Sequence, residues 1–472
     1  MGEGRYIVVD LGKTLSKVSL WTGDGRILNR QVRPNAAVEE GGLRRLDVHA
    51  IGHWLIGALA EYADHPVEAI IPVGHGAAVV ALVDDHMAFL PLDYEQDLSA
   101  HHLAEYRAER DAFALTGSPA LPGGLNLGAQ LYLLEQVYPA AMARATLVPW
   151  AQYWAWFLCG EARSEITTLG CHSDLWHPEA KSFSPLADRK GWGERFAPFA
   201  HAGEQIGFLR RAIADQSGLS ARVAVHAGMH DSNAALLAAR SCGELSSGDA
   251  TILSTGTWFV AMRSPEQGEA TPSLPEGRDC LVNVDVDGRP VPSARFMGGR
   301  EIETVAGPEA VRVDHGPDQS RLLAAVENFA GLGTMILPTF APGNGPFAHA
   351  KGEWLGAQPS RLERSAGACI YAALVADASL DLIGAKERIL VEGRFAAAAV
   401  FVRSLARLRP DLNVCTSPAH IDASFGALCA IDRRIAPGAP LHAVAPLDVD
   451  LETYRTKWRA AIADRIGSGA AR

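Results

Sequence analysis

Two stretches, one in each half of the chain, repeat a single device: a hydrophobic strand, a turn built from Gly and Thr, and a returning strand of alternating pattern. The first is YIVVDLGKTLSKVSLW, Tyr6 to Trp21. The second lies within Val223 to Met262, where an apolar run enters Ser254-Thr255-Gly256-Thr257. Such turns offer backbone N–H groups and hydroxyls to an anion, because Gly lets the main chain approach closely. Two of them could clamp one polyphosphate between two half-molecules. Between them in sequence, a β-branched run at Val223 and Val225 leads into Gly228-Met229-His230-Asp231, and a helical pattern opens at Ser232. Phosphate cradles, a partner for magnesium and a base for an acceptor hydroxyl are what phosphoryl transfer needs.

A chain of 472 residues exceeds one ordinary core, so two domains are expected. The Gly/Ser-rich break at Ser246-Ser247-Gly248 marks the boundary and gives domains of residues 1–245 and 246–472. The balance of 54 acidic against 43 basic residues, a net charge of −11, argues against nucleic acid as a partner. Seven cysteines without a CxxC pair read as reduced core cysteines of a cytoplasmic protein. Cys171, His172 and His177 have no zinc-ligand spacing. The first residues lack the basic and apolar regions of a signal peptide, and Tyr6 at the sixth position argues against myristoylation at Gly2. No uninterrupted apolar stretch is long enough to span a bilayer, so no membrane partner is expected.

The pattern predicts strands over residues 6–10, 16–21 and 26–33, the last two joined by the hairpin signal Thr22-Gly23-Asp24-Gly25. A helix follows over 46–63, then a strand over 69–73 that enters Gly74-His75-Gly76-Ala77 and continues through 79–83. Strand-strand-strand-helix-strand is the opening of a ribonuclease-H-like α/β unit. Gly12-Lys13-Thr14 ends like a P-loop, but Ile7 stands where that motif needs its first glycine, which rejects the reading. Helices are expected over 98–111, 127–135, 140–144 and 151–158, and loop-rich substrate territory over 167–176 and 191–193. The second half repeats the scheme with a hairpin over 252–262, a strand over 281–286 and a helix over 296–305 that carries paired glycines. A Gly/Pro loop over 340–356, an amphipathic helix over 362–382 and a strand over 389–391 come next. Helices over 400–408 and 418–430 precede a polar tail past Gly469. This duplication supports a two-lobed nucleotide machine.

Taken together, these motifs resemble those of the FGGY carbohydrate kinases, of the actin-like ATPase superfamily. Asp10-Leu11-Gly12-Lys13-Thr14 is similar to that family's first phosphate motif, and Ser254-Thr255-Gly256-Thr257 to its second. Gly228-Met229-His230-Asp231 resembles its catalytic Gly-x-x-Asp element. Gly298-Gly299 and the loop from Gly343 to Gly356 are similar to its glycine pair and signature loop, and Val391-Glu392-Gly393 stands where its adenosine motif belongs. The resemblance spans essentially the whole chain. It implies an α/β architecture of two ribonuclease-H-like domains flanking a central cleft, with the sugar mainly on the first and the nucleotide mainly on the second. It further implies ATP and Mg2+ as cofactors, a small-molecule sugar as partner and, by family habit, an even-numbered assembly such as a homodimer. Two departures stand out. Arg394, Phe395 and a run of alanines follow Gly393 in place of further glycines and Asn, and the segment at Gly74 to Ala77 has neither the Met-His pair of xylulokinases nor the Arg-Glu pair of glycerol kinases. The His-Asp element is more similar to the rhamnulokinase and fuculokinase branches, which points to a ketose of rhamnulose, fuculose or pentulose type.

Each residue also has a purely structural reading. Asp231 could cap the helix that opens at Ser232; within the constellation it is the base, held ionised by the helix dipole, and a second carboxylate for magnesium. His230 is either a turn histidine or a hydrogen-bond partner for sugar hydroxyls, and His75 and Gly76 are strand-end residues or sugar contacts. Asp10 either steadies its turn or holds magnesium through water. One of Lys13 and Lys17, with Lys13 favoured by its place in the turn, would approach the transferred phosphate; otherwise both are solvated charges. Gly12, Thr14, Thr255, Gly256 and Thr257 become phosphate ligands only in the paired arrangement. The resemblance implies that Gly299, Glu303 one turn on, and Gly393 meet the adenosine. Two rival functions share these motifs: an actin-like or chaperone-type ATPase switch without a sugar acceptor, and a sugar-binding relative that turns over no ATP.

Overall fold

Residues Ile7 to Leu11 are buried on both faces, and the strand they belong to, β1 (Arg5–Leu11), lies inside a sheet between two neighbours. The computed structural model describes residues 4–418 and 421–469, with side chains through Arg465. β1 turns back into β2 (Leu15–Thr22), and the Gly-rich turn after Thr22 sends the chain into β3 (Ile27–Pro34), each pair antiparallel. α1 (Val48–Ala60) starts where Asp47 accepts the Ala50 N–H at 2.9 Å. It buries Ile51, Leu55 and Leu59, spaced at one turn each, in a cluster with Val9, Val18 and Leu20. The chain then returns as β4 (Val67–Gly74), parallel to β1.

Residues 79–83 were expected to prolong that strand. They form instead a separate strand, β5 (Val79–Val83), antiparallel to β6 (Thr146–Pro149) in another sheet. The reason is the bend at Gly74-His75-Gly76, where both glycines press against neighbours that leave no room for a Cβ. α2 (Trp150–Cys159) follows β6 and buries Trp150 and Trp154. β7 (Gln205–Phe208) and β8 (Ala224–His226) extend the first sheet beyond β4, in the order β7-β8-β4-β1-β2-β3, and β9 (Met229–His230) also pairs with β4. α3 (Asp231–Arg240) leaves directly from β9.

The second half builds the same order from new strands. β10 (Ala250–Thr255) and β11 (Phe259–Ser264) form the hairpin, and β12 (Pro290–Phe296) is the third strand of the meander. α4 (Gly298–Ala306) and the long α5 (Arg361–Ile383) precede β13 (Arg388–Gly393), which lies parallel to β10. α6 (Ala399–Leu408) leads to β14 (Asn413–Thr416), parallel to β13. The order β12-β11-β10-β13-β14 repeats that of the first sheet.

Helix α5 differs from the amphipathic expectation. It opens with a capping box between Ser360 and Glu363 but is buried continuously from Ser365 to Leu380, packed among α4, α6 and the helix Gln319–Gly331. Its length and composition alone would suit a membrane span. Inside the fold its one buried acid, Asp377, meets Arg459 Nη2 at 2.7 Å and Arg455 Nη1 at 3.4 Å.

The chain separates into two compact units: Met1–Gly243 with Val282–Pro290 and His420–Gly438, and Glu244–Leu281 with Val291–Ala419 and Ala439–Arg472. The first unit therefore recruits segments from beyond the Ser246-Ser247-Gly248 break. Val282 donates its N–H to Gly117 O at 2.8 Å, and the helix Ala423–Ile431 packs on α3, where a Cβ on Gly426 would fall 1.7 Å from Ala234 O. The C-terminal helix Leu451–Gly469 was not foreseen; its seam is narrow, formed by Leu451, Trp458 and Ile462 amid charges. Gly2, the Ala419-His420 part of the helix expected over 418–430, and the tail past Gly469 lie outside the described residues.

Candidate functional site

Three strand ends of the first unit align. β1 pairs Leu11 with Gly74 of β4, and β9 pairs His230 with the same glycine. The turns that follow, Gly12-Lys13-Thr14, His75-Gly76 and Asp231, leave the sheet at the carboxyl ends of parallel strands, where open α/β sheets place their ligands. Glycine is required twice here. A Cβ on Gly76 would lie 2.6 Å from Cys171 Sγ and 3.0 Å from His230 Nε2; Gly228 has φ +80° and would press a Cβ to 2.2 Å from Pro72 O.

Asp231 is the first residue of α3 rather than its cap, which is His230 without a side-chain capping bond. Asp231 Oδ1 accepts the Ser232 N–H at 2.6 Å and the Ser232 hydroxyl at 3.2 Å. The helix dipole was expected to keep this carboxylate fully ionised. Burial outweighs it: the pKa rises to about 6, against the opposing pull of the Ser232 hydrogen bonds and the Lys17 charge. At neutral pH the group is ionised and still basic enough to take a proton. Some 35% of its side chain stays open. Burial pushes His230 down to about 4, so its ring is neutral. Asn233 Nδ2 lies 3.3 Å from His230 Nδ1, which leaves the ring proton on Nε2, 3.3 Å from Asp231 Oδ1.

Asp10 is the register partner of Lys17 across the first hairpin, and Lys17 Nζ donates to its Oδ2 at 2.9 Å. Burial raises the Asp10 pKa, Lys17 opposes that rise, and the charge of Asp231 adds to it. Lys13 donates to Asp93, stands 3.5 Å from Glu95 and lies over the Tyr94 ring at 5.4 Å. Both lysines singled out for phosphate thus rest on carboxylates. Asn35 fixes the turn by donating from Nδ2 to Gly12 O and from its N–H to Thr14 O, each at 2.8 Å, while Thr14 is exposed. A magnesium ion asks for one or two carboxylates together with water and phosphate oxygens. Asp10 and Asp231, two acids of which the second raises the proton affinity of the first, fit that demand. Among the described residues no group of three or more His, Cys, Asp or Glu forms a full metal cage.

His75 is buried with both ring nitrogens unpartnered, stacked on Trp150 at 5.6 Å and edge-on to Tyr94 at 5.3 Å. Burial, with His230 and Lys13 adding to it, pushes its pKa down to about 3. A neutral imidazole offers one donor and one acceptor, and leaving both unmet inside a protein is costly unless a ligand meets them. Asp93, Tyr94, Trp150 and Cys171 complete this surface and were not foreseen. They come from three segments far apart in the chain, and nothing in the local run FLPLDY marks Asp93 as fully buried.

In the second unit Thr255 and Gly393 are register partners at the ends of β10 and β13, as Leu11 and Gly74 are in the first. A Cβ on Gly393 would fall 2.2 Å from Thr255 O, and one on Gly299 2.1 Å from Gly256 O, so three predicted glycines converge on one backbone turn. The Thr255 hydroxyl is occupied within the fold, donating to Glu392 O at 2.5 Å and accepting the Phe395 N–H at 3.1 Å; Thr257 is exposed. Arg394 lies over the Phe395 ring at 5.0 Å and binds Glu303 Oε1 and Asp314 Oδ2, each at 2.8 Å. That bond holds the Asp314 carboxyl down at about 2. The glycine cradle suits a phosphate chain, and the Arg394 cluster stands beside it where further glycines were expected. A cavity of 1340 Å3 lined by Arg278, Phe347, Lys351, Leu382 and Ile462 lies elsewhere in this unit and includes none of these residues.

Comparison with known proteins agrees with this geometry. The family described as carbohydrate kinase FGGY, C-terminal domain, matches residues 247–439. The structure of a carbohydrate kinase from Novosphingobium aromaticivorans is similar at a TM-score of 0.94 and 58% identity, over 98% of this chain and 99% of that one. A xylulose kinase from Rhodospirillum rubrum shares the fold at a TM-score of 0.79 and 18% identity, over 99% of this chain and 100% of that one. A glycerol kinase from Plasmodium falciparum, solved with ADP, shares it at a TM-score of 0.78 and 11% identity, over 98% of each chain. Among curated proteins none matches the sequence.

Proposed function

The chain belongs to the FGGY carbohydrate kinases, phosphotransferases with an alcohol group as acceptor and two ribonuclease-H-like α/β domains, and we propose that its acceptor is a ketose of rhamnulose, fuculose or pentulose type. Asp231 is the base. The pairing of its raised pKa with a position beside neutral His230, at the open end of β9, is the observation that carries this reading. Asp231 accepts a hydrogen bond from the acceptor hydroxyl and takes its proton as the new O–P bond forms in a loose transition state. His75 and His230 donate to and accept from sugar hydroxyls, and Gly76 leaves the space in which the sugar lies.

Magnesium-ATP, when bound, supplies the phosphoryl group and neutralises its charge. Asp10 would hold the metal through water, with Asp231 as the second carboxylate. Gly12 and Thr14 in one turn and Thr255, Gly256 and Thr257 in the other would hold phosphate oxygens, joined by one of Lys13 and Lys17 (the latter on the strand after the turn) once released from its carboxylate, and Gly299, Glu303 and Gly393 the adenosine. In this reading the first domain binds the sugar and the second the nucleotide, and water is excluded as a competing acceptor. The enzyme works in the cytoplasm as a homodimer.

A second reading, a sugar-binding relative without turnover, draws on Arg394, which stands where the family places glycine. A coupled ADP-release assay over a panel of ketoses, aldoses and polyols separates the two. Ketose-dependent release that vanishes in Asp231→Asn is expected. Release independent of any sugar would instead indicate an ATPase switch, and sugar binding without release the silent relative.

A further inference from the structure

Behind Gly228-Met229-His230-Asp231 lies a buried pair, Glu165 and Thr167, neither with any exposed surface. Glu165 Oε2 accepts the Thr167 N–H at 3.0 Å and the Thr167 hydroxyl at 2.5 Å. Thr167 Oγ1 in turn accepts the backbone N–H of His230 at 3.0 Å. A hydroxyl carries a single proton. Because Thr167 gives that proton to Glu165, its lone pair is turned toward the His230 amide, and the carboxylate sets the direction of the whole chain. His230 is both the last residue of β9 and the cap of α3, so its amide fixes the path by which the backbone reaches Asp231.

Glu165 also caps the short helix Ile166–Leu169 through the Thr167 N–H, and that cap alone does not account for the rest of the arrangement. Glu165 Oε1 is buried without any partner, and burial pushes the acid up to about 7. A buried carboxyl left half-satisfied is costly, and an apolar residue of the same size would remove the cost. The same reasoning applies to the backbone site: His230 N–H needs an acceptor, but a water or a carbonyl would serve if its angle were immaterial.

We propose that Glu165 and Thr167 are positioning residues for Asp231, a carboxylate-hydroxyl-amide chain that holds His230 and thereby aims the catalytic carboxylate at the acceptor hydroxyl. The proposal rests on the reading of Asp231 as the base. Two measurements test it on the full-length protein: hydrogen exchange at the His230 amide, and kcat and KM with magnesium-ATP and whichever of D-xylulose, L-rhamnulose or L-fuculose is turned over fastest. In Thr167→Val the amide should exchange faster and kcat should fall roughly tenfold, the effect of one lost hydrogen bond, with the sugar KM within about twofold. Thr167→Ser should restore both. Should Thr167→Val fail to fold, Glu165→Leu carries the same comparison, since it removes the acceptor that commits the Thr167 proton. An unchanged kcat alongside faster exchange overturns the positioning role, as does an exchange rate indifferent to the hydroxyl. If the unmodified protein phosphorylates no sugar, the kinase reading fails separately, and the exchange rates alone decide whether the anchor exists.

Discussion

Lys17 and Asp10 face one another across the first hairpin, register partners whose side chains close to 2.9 Å. Burial raises the Asp10 pKa and Lys17 restrains the rise. In Lys17→Met the restraint is gone, so the carboxylate stays protonated to a higher pH. We expect kcat to reach its plateau at a higher pH than in the unmodified protein, with a larger requirement for free magnesium. A pH profile parallel to that of the unmodified protein would count against Asp10 as the metal carboxylate.

Asp231 must be ionised to act as a base, and its pKa is raised to about 6. The value of kcat/KM should therefore climb with pH through about 6 and then level off. Asp231→Asn removes the acceptor and should cut kcat by a factor of about 10² to 10⁴ while calorimetry still detects sugar binding. Full turnover in that variant would take the residue out of the mechanism.

His75 carries two unpartnered nitrogens against Trp150 and Tyr94. Phe in its place keeps the ring contacts and removes both polar atoms. His75→Phe should raise the sugar KM about five- to tenfold, near 1 kcal/mol of lost hydrogen bonding, without lowering the melting temperature. A drop in stability with an unchanged KM would show that the ring serves the core.

Arg394 ties Glu303 to Asp314 beside the Gly393 turn. Arg394→Ala should raise the KM for ATP severalfold and leave the sugar KM alone, as read by varying each substrate in turn. An effect confined to the sugar would move the adenosine site away from this turn.

Asp377 is buried in α5 among Arg409, Arg455 and Arg459. Asp377→Ala removes a carboxylate that these arginines share with Asp381, Asp411 and Glu452, and should destabilise the protein by about 1–3 kcal/mol, seen as a lower denaturant midpoint. Activity per folded molecule should persist, because the acid lies outside both phosphate turns.

The opening strand-strand-strand-helix-strand run of the first unit and the hairpin of the second were legible because they follow from local signals: short apolar strands, Gly/Thr turns and one capped amphipathic helix. The alignment of Leu11, Gly74 and His230 was not, because register is set across residues far apart in sequence. The same holds for the site. Asp231, His230 and Gly76 announce themselves by glycine-flanked turns, whereas Asp93 and Glu165 matter through burial that no local pattern reveals. Lys13 shows the converse: a charge in a phosphate-type turn, found resting on a buried acid. Misreading α5 as amphipathic has a single cause, since small residues such as Ala and Ser are neutral markers of burial and here line a helix enclosed all round.

Gly426 can carry no side chain because the helix Ala423–Ile431 rides so closely on α3. In the chain these two helices are separated by all of β10 to β14. A ribosome therefore releases the helix that starts at Asp231 long before it makes the partner that covers Ala234 and Ala238. The nascent first unit waits with an uncovered apolar seam until the strands of the second sheet have been made. A chain that stops within the second unit keeps that seam exposed, and exposed apolar surface of this kind is what makes incomplete chains prone to aggregate.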